Sequence, residues 1–384
     1  MRFLHTADWH LGKSLRGYSL LEDQCFILEQ FLHIVDDTAP EAIVIAGDIY
    51  DRAVPPADAI LLLDEILTKI VVERKIPTLA IAGNHDSGGR LSFAGTILEQ
   101  AGLFLRGMFG LDTPPVILGD KFGDVAFSLF PYFEPSAVDP DLRLDMDAAY
   151  ECAIMAARAK LPVGRSVAVA HLFAAGGTTS ESERPLAVGG AGNVSPARFA
   201  DYNYTALGHL HAPQRAGADN IRYSGSPLKY SFDESAQAKG VVLVEMDGSG
   251  AVTTETLPLT PKRDVRIVEG FIEEIRQDRE NYPVSDDYVL VRLLDKTAIL
   301  GAYDKLAAIY PNLGGVEFCG IRYNDEPIEA AKRGGSVSET ELFADFYREM
   351  TGEVLTTVQE KIIDECVRDI YRREREEDYA PIGA

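Results

Sequence analysis

The stretch "AIVIAGDIYD" (42–51) runs through five apolar residues, three of them β-branched, and then breaks at Gly47 into a loop bearing Asp48 and Asp51. An unbroken apolar run ended by Gly and Asp reads as a strand buried on both faces, its carboxyl end opening into polar loop. "PTLAIAGNHD" (77–86) repeats the form, and the more mixed "RFLHTADWH" (2–10) also reads as a buried strand running into polar loop. The segments between carry apolar residues at helical spacing, and Leu21, Cys25, Leu28 and Leu32 make one such stripe. The βαβα order predicts a largely parallel sheet covered by helices, with the chemistry beyond the carboxyl ends of its strands.

Further along, "SVAVAHLF" (166–173), "YTALGHLH" (204–211), "IRYSGSP" (221–227) and "GVVLVEMD" (240–247) read as strands joined mostly by loops. They predict a second sheet packed on the first. On an extended strand His209 and His211 would share one face. Beyond "LPLTPKRD" (257–264) the pattern becomes a helix near 270–280, a strand "YVLVRLL" (288–294), a helix near 300–310 and the strand "GVEFCGIRY" (315–323). From Ser336 the chain is charged and helical, with the Gly of "MTGEV" (350–354) placed to end a helix. The expected fold class is α/β. Two packed mixed β-sheets flanked by helices, a four-layer sandwich, occupy 1–264; a small α+β domain occupies 265–332 and a helical tail 336–384.

Composition narrows the function. With 46% hydrophobic residues in 384, the chain has the material for about two or three domains. Its net charge of −23 repels a phosphate backbone, so a polyanionic substrate needs local attraction from bound divalent cations or a basic partner. No run approaches the roughly 18 apolar residues of a membrane span, and the first ten residues lack the apolar core of a signal peptide. A cytoplasmic protein with no membrane partner is expected. Cys25, Cys152, Cys319 and Cys366 form no CxxC pair, which argues against a disulfide framework and against zinc-thiolate chemistry.

The strand ends then collect ligands. "ADWH" offers Asp8 and His10, "GDIYD" offers Asp48, "GNHD" offers Asn84, His85 and Asp86, "VAHL" offers His171, and "GHLH" offers His209 and His211. All seven histidines except His33 lie in or beside these motifs, and that concentration separates a metal centre from scattered structural histidines. Carboxylate, amide and imidazole donors without thiolate suit manganese, iron or zinc. Two such ions about 3.5–4 Å apart would clamp a phosphoryl group for in-line attack. Gly47, Gly83 and Gly208 sit where backbone must pass close to the site. His5 lies on the strand face away from Asp8 and is expected to be structural.

The order DxH, GDxxD, GNHD, isolated His, GHxH is similar to that of the calcineurin-like metallophosphoesterases. "FLHTADWHLGK", "GHLHAPQ" and "YSGSPLKYSFDE" resemble the SbcD nuclease branch of that family, and the likeness runs over essentially the whole chain. The resemblance implies two divalent ions, most suitably manganese. One would be held by Asp8, His10 and His211 and the other by Asn84, His171 and His209, with Asp48 bridging. It implies that His85 is catalytic, protonating the leaving 3′ oxygen or stabilising the charge there; a histidine poised there makes chemical sense, and a third ligand is the alternative. Asp86 would orient His85 or cap its own turn. It also implies DNA as substrate, a capping role for the small domain, a homodimer within a heterotetramer, and a tail that grips the coiled-coil root of the ATPase SbcC. On that tail Leu342, Phe343, Phe346 and Tyr347 share one helical face, and Val358, Ile362 and Ile363 the next.

Relatives with "GDLFH" at the second motif place a histidine where Asp51 stands here, so Asp51 carries no assigned role. "GDIYDR" also resembles the "GDxxDRG" of phosphoprotein phosphatases, although Ala53 replaces the glycine. A phosphoprotein or small-molecule phosphoesterase is therefore the rival enzyme, and an inactive scaffold that docks an ATPase is the rival of another class. Lys13, Arg16, Arg52 and Arg90 follow the metal motifs in loops and are the candidates for substrate phosphates.

Overall fold

Burial on both faces produces the first sheet. In the computed structural model, which describes residues 1–142, 145–183, 192–320 and 338–377, the two-sided apolar runs become β1 (Arg2–Thr6), β2 (Ala42–Ile45) and β3 (Thr78–Ile81). Strands of three or more residues and α-helices of six or more are numbered here along the chain. β4 (Leu103–Arg106) extends the sheet, and all three pairings from β1 to β4 are parallel. The helices α1 (Leu21–Thr38) and α2 (Ala57–Leu67) provide the first two crossovers. The buried face of α1 is Gln24, Ile27, Leu28, Phe31, Leu32 and Val35, rotated from the expected stripe, so Leu21 and Cys25 are only half-buried.

The second sheet holds β5 (Val116–Asp120), β6 (Gly123–Phe130), β7 (Arg165–His171), β8 (Tyr204–Gly208), β9 (Gln214–Ala216) and β10 (Ala218–Tyr223), in the order β9-β10-β8-β7-β6-β5. β6, β7, β8 and β10 run parallel. One expectation is corrected here. The strand at 240–247, β11 (Gly240–Met246), lies antiparallel to β1 in the first sheet and is followed on its outer side by β12 (Val252–Pro258). Apolar alternation reports which faces are buried, not which neighbour supplies the hydrogen bonds.

Phe3, Val44 and Leu79 of the first sheet interlock with Phe127, Val169 and Tyr204 of the second in one apolar core. The outer face of the second sheet packs on α3 (Met146–Arg158) through Tyr150, Ala153 and Ile154. Because β1 to β3 are parallel neighbours, as are β7 and β8, their carboxyl ends gather every proposed ligand. His5 lies between the sheets, with one ring nitrogen 3.0 Å from the Tyr204 hydroxyl and the other 3.2 Å from the Leu207 carbonyl oxygen. Burial lowers its pKa to about 3, so it stays neutral in a structural role.

Residues Met1–Arg266 form one compact unit and Ile267–Ala384 another. In the second, β14 (Tyr288–Leu293) and β15 (Leu313–Phe318) make a sheet with β13 (Val265–Gly270), whose first two residues belong to the first unit, and with α4 (Ile272–Gln277) and α5 (Ala302–Ala307), closed on Ile275, Val291 and Leu306. The last part of "GVEFCGIRY", 321–323, and Ser336 lie outside the described residues. In the tail, α6 (Glu339–Thr351) begins with a capping box between Ser338 and Glu341 and ends at Gly352, φ 72°. α7 is Thr357–Glu377. The glycine ends the helix as expected, since a Cβ disfavours that left-handed turn. Among the described residues no helix is long and apolar enough to cross a membrane.

Candidate metal centre

Four site residues hold backbone conformations that side chains usually avoid: Asp8 (φ 54°), His10 (φ 45°), Asp48 (φ 48°) and His209 (φ 106°). At about 1–3 kcal/mol each, that strain is offset by the adjacent core, where each buried Phe or Val contributes about 1.5–3 kcal/mol. Backbone bonds tie the first two loops together: Asp8 N–H donates to the Gly47 carbonyl (3.0 Å) and His10 N–H to that of Asp48 (2.9 Å). Gln24, buried on α1, accepts from Gly12 N–H (2.9 Å) and donates to the His10 carbonyl (2.7 Å).

Asp86 joins the second loop to the third. Its carboxylate accepts from the backbone N–H groups of Ile49 (3.0 Å), Tyr50 (2.9 Å) and Gly83 (2.9 Å). It is therefore a cap, but one that fastens the neighbouring loop as well as its own. Gly47 and Gly83 leave the room this meeting needs. A Cβ on either would lie 2.7 Å from a carbon of His171 or of the Asp48 carboxyl, respectively. Gly83→Ala is expected to displace Asp48 and to cost about 1–3 kcal/mol of stability, with a matching drop in metal content. Urea unfolding of the metal-free chain checks the first effect; unaltered stability and metal content would show that the loop yields.

The potential ligand atoms of Asp8, His10 and His211 lie within 4.8 Å of one another, as do those of Asp48, His171 and His209. Asn84 joins the second group, its amide oxygen 2.9 Å from Nε2 of His171 and 3.2 Å from Nδ1 of His209. Oδ2 of Asp48 lies between the groups, 3.6 Å from Nε2 of His10 and 3.5 Å from Nε2 of His171. His209 and His211 do not share a face. The strand ends at Gly208, and the positive φ of His209 sends the two rings to different groups. The N–H of His209 is held by the Asp8 carboxylate at 2.9 and 3.1 Å.

The electrostatics fit cations. Burial pushes His10 down to about 4 and lowers His209 and His211, so these rings carry free lone pairs. Burial holds Asp8 well above the usual carboxylate range against the pull of His171. Burial opposes the charge on Asp48 too, but His171, His10 and His85 hold it well below that range. Nε2 of His10 faces Nε2 of His211 across 3.1 Å, and Nδ1 of His10 makes no hydrogen bond. Two imidazole nitrogens aimed at one point beside buried carboxylates are a donor set for divalent metal.

His85 is fixed over Asp48. Its N–H donates to Oδ1 of Asp48 (2.9 Å), its Nδ1 lies 2.8 Å from the Asp51 carbonyl oxygen, and its Nε2 lies 4.0 Å from Oδ2 of Asp48. Its ring also groups with His10 and Asp51, their potential ligand atoms lying within 4.8 Å of one another. Of the expected rim cations, Lys13 is engaged with Asp51 at 2.8 Å, while Arg16, Arg52 and Arg90 are exposed, Arg52 with its Nε 3.6 Å from the other oxygen of Asp51. Arg90 lines a cleft of about 180 Å³ with Tyr50, Ile60, Ser87 and Leu91.

Sequence reasoning missed a layer behind the site. The Tyr230 hydroxyl donates to the Trp9 carbonyl (2.5 Å), and its ring stands edge-on to His10 and His211. Glu183 accepts from His211 N–H (2.6 Å), and Glu234 lies 3.2 Å from Nδ1 of His211. Tyr230 and Glu234 fall inside the motif "YSGSPLKYSFDE", the one signal that pointed at them.

Residues 1–136 match the family described as calcineurin-like phosphoesterase, and residues 261–351 match the type 5 capsule protein repressor C-terminal domain, SbcD_C. His171, His209 and His211 thus enter the site from beyond the first match. Among solved structures, TT1561 of Thermus thermophilus is 12% identical over 66% of this chain and 98% of its own, with a TM-score of 0.36. A novel phosphatase from Mycoplasma pneumoniae is 12% identical over 73% of this chain and 98% of its own, with a TM-score of 0.38. Likenesses that slight carry no functional weight.

Proposed function

From a chain that joins a calcineurin-like phosphoesterase domain to an SbcD-type C-terminal domain, we propose the nuclease subunit of an SbcCD-type complex. It hydrolyses DNA phosphodiester bonds, as an exonuclease on duplex ends and an endonuclease on single strands or hairpins, in DNA repair, recombination and replication. The observation that carries this reading is the convergence of both ligand groups and His85 on one buried site in a chain with that C-terminal domain.

Asp8, His10 and His211 would hold one divalent ion, and Asn84, His171 and His209 the other, with Asp48 shared; manganese suits the donors. Two ions so held would supply an activated water and neutralise charge on the phosphoryl oxygens. The protein's own groups do the rest. The Asp51 carbonyl accepts the Nδ1 proton of His85, which leaves Nε2 to carry a proton to the departing 3′ oxygen. Arg16, Arg52 and Arg90 offer phosphate contacts, which position DNA without reading sequence. Lys13 spends its charge on Asp51 instead.

Leu342, Phe343, Phe346, Val358 and Ile362 are exposed on α6 and α7, and Tyr347 is half-buried. Apolar faces of that kind support docking of an SbcC-type coiled-coil ATPase. The exposed Ile60 and Leu61 on α2, with Phe93 and Ile97 after β3, support a homodimer within the heterotetramer. Such a complex works in the cytoplasm, on the nucleoid.

Purified chain with manganese should nick single-stranded DNA and hairpins, and addition of the ATPase with ATP should extend this to duplex ends. Hydrolysis of phosphomonoesters or phosphoproteins with DNA left intact would replace the nuclease with a phosphatase; metal-free, inert protein would make it a scaffold. Phe343→Glu with Phe346→Glu in the full chain should abolish co-purification with the ATPase while sparing manganese-dependent cleavage of small phosphodiesters. Retained binding would move the docking surface elsewhere.

A further inference from the structure

His10 and His211 point their Nε2 atoms at each other, so each turns Nδ1 away from the site. Each Nδ1 then meets a carboxylate that is itself paired with a lysine. Oδ1 of Asp51 lies 3.5 Å from Nδ1 of His10 and 2.8 Å from Nζ of Lys13. Behind His211, Oε1 of Glu234 lies 3.2 Å from Nδ1, and the Ser182 hydroxyl, 2.7 Å from the same nitrogen, donates to Glu234. Oε2 of Glu234 is 2.6 Å from Nζ of Lys239. That lysine is buried, and its other contacts are the His211 carbonyl (2.8 Å), the Ser226 hydroxyl (2.9 Å) and the Gln237 side-chain oxygen (2.7 Å).

The second ligand group is backed differently. Nδ1 of His171 faces the neutral carbonyl oxygen of Ala46 at 2.9 Å, with the nearer Asp8 oxygen at 3.9 Å. An anionic acceptor on one ring nitrogen fixes the proton there and makes the other nitrogen a stronger donor to metal, more than a carbonyl does. The paired lysines cancel the added negative charge, so the carboxylates back the ligands without raising the net charge of the site.

We propose that Asp51 and Glu234 are positioning residues that hold His10 and His211 with Nδ1 protonated, making the site of Asp8, His10 and His211 the tighter of the two and the first to fill. Asp51 thereby acquires a role. The 3.5 Å gap to His10 is no objection, since contacts at catalytic sites are commonly long before the ligand binds and tighten with it. The proposal rests on the two-metal reading above.

Calorimetric titration of manganese into the metal-free full chain tests it. The unaltered chain should bind two equivalents of unequal affinity. Asp51→Asn and Glu234→Gln should each weaken the tighter equivalent about 10- to 100-fold and leave the weaker one unchanged. Since Glu234→Gln strands a buried ammonium, Glu234→Gln with Lys239→Met, which removes both charges, is measured beside it. Imidazole ¹⁵N resonances of the folded, metal-free chain supply a readout that a mere packing defect would not move: His10 should carry its proton on Nδ1 and lose that preference in Asp51→Asn. Equal losses at both equivalents, or none, would overturn the proposal and leave two metals standing. A chain that binds no manganese would overturn the two-metal reading itself.

Discussion

Asp48→Ala is expected to release both metal ions together, with manganese content falling from two equivalents toward none. The carboxylate is 2% exposed, and its Oδ2 faces His10 of one ligand group and His171 of the other at nearly equal distances, 3.6 and 3.5 Å. No water can take its place between two buried groups without leaving their charge uncompensated. The loss should therefore exceed the roughly 10- to 100-fold that removal of a contact behind a ligand costs. Its Oδ1 also holds the N–H of His85, so His85 loses an anchor and phosphodiester hydrolysis is expected to fall with the metal. Metal analysis after gel filtration gives the answer. One full equivalent retained would mean that Asp48 serves a single site.

His85→Gln should separate metal from chemistry in the opposite way. Two equivalents of manganese stay bound, while cleavage of a dinucleotide falls about 10²–10⁴-fold, the usual worth of a positioned general acid. The leaving group supplies the control. A sugar alkoxide needs a proton to depart, whereas a nitrophenolate does not, so a nitrophenyl phosphodiester should be hydrolysed at close to the normal rate. Loss of one metal in this variant would make His85 a ligand, a part that its closeness to His10 and Asp51 would permit.

Much of the first sheet was legible because its strands are buried on both faces, which writes an unbroken apolar run into the chain at 42–46 and 79–82. The ligand motifs were legible for the same reason: each follows such a run, where a polar loop begins. β4 and β5 were not read, since Phe104, Leu105 and Arg106 are only half-buried and β5 is largely half-buried or exposed; β6 was missed although Val125–Phe130 are all buried. β11 was visible as a strand but was assigned to the wrong sheet. Its partner β1 lies some 240 residues earlier, as Leu4 opposite Leu243 shows, and no local pattern encodes a pairing across that separation.

By itself the sequence singled out the candidate residues: Asp8, His10, Asp48, Asn84, His85, His171, His209 and His211 are marked by residue type and by position at a strand end. The family resemblance implied how they divide, and the tertiary structure supplies the backbone reason. An alternation rule holds while the backbone stays extended, and the φ of 106° at His209 ends it, parting two histidines that the pattern had placed on one face. Tertiary structure also decided which charges stand behind them. Asp51 reaches Lys13 across 38 residues, and Glu234 reaches His211 and Lys239 from a short helical turn that carries no metal motif. Short-range periodicity says whether a side chain points inward. What it meets there is set by how two sheets close on each other, because a buried carboxylate takes whichever cation or N–H group the packing brings within reach.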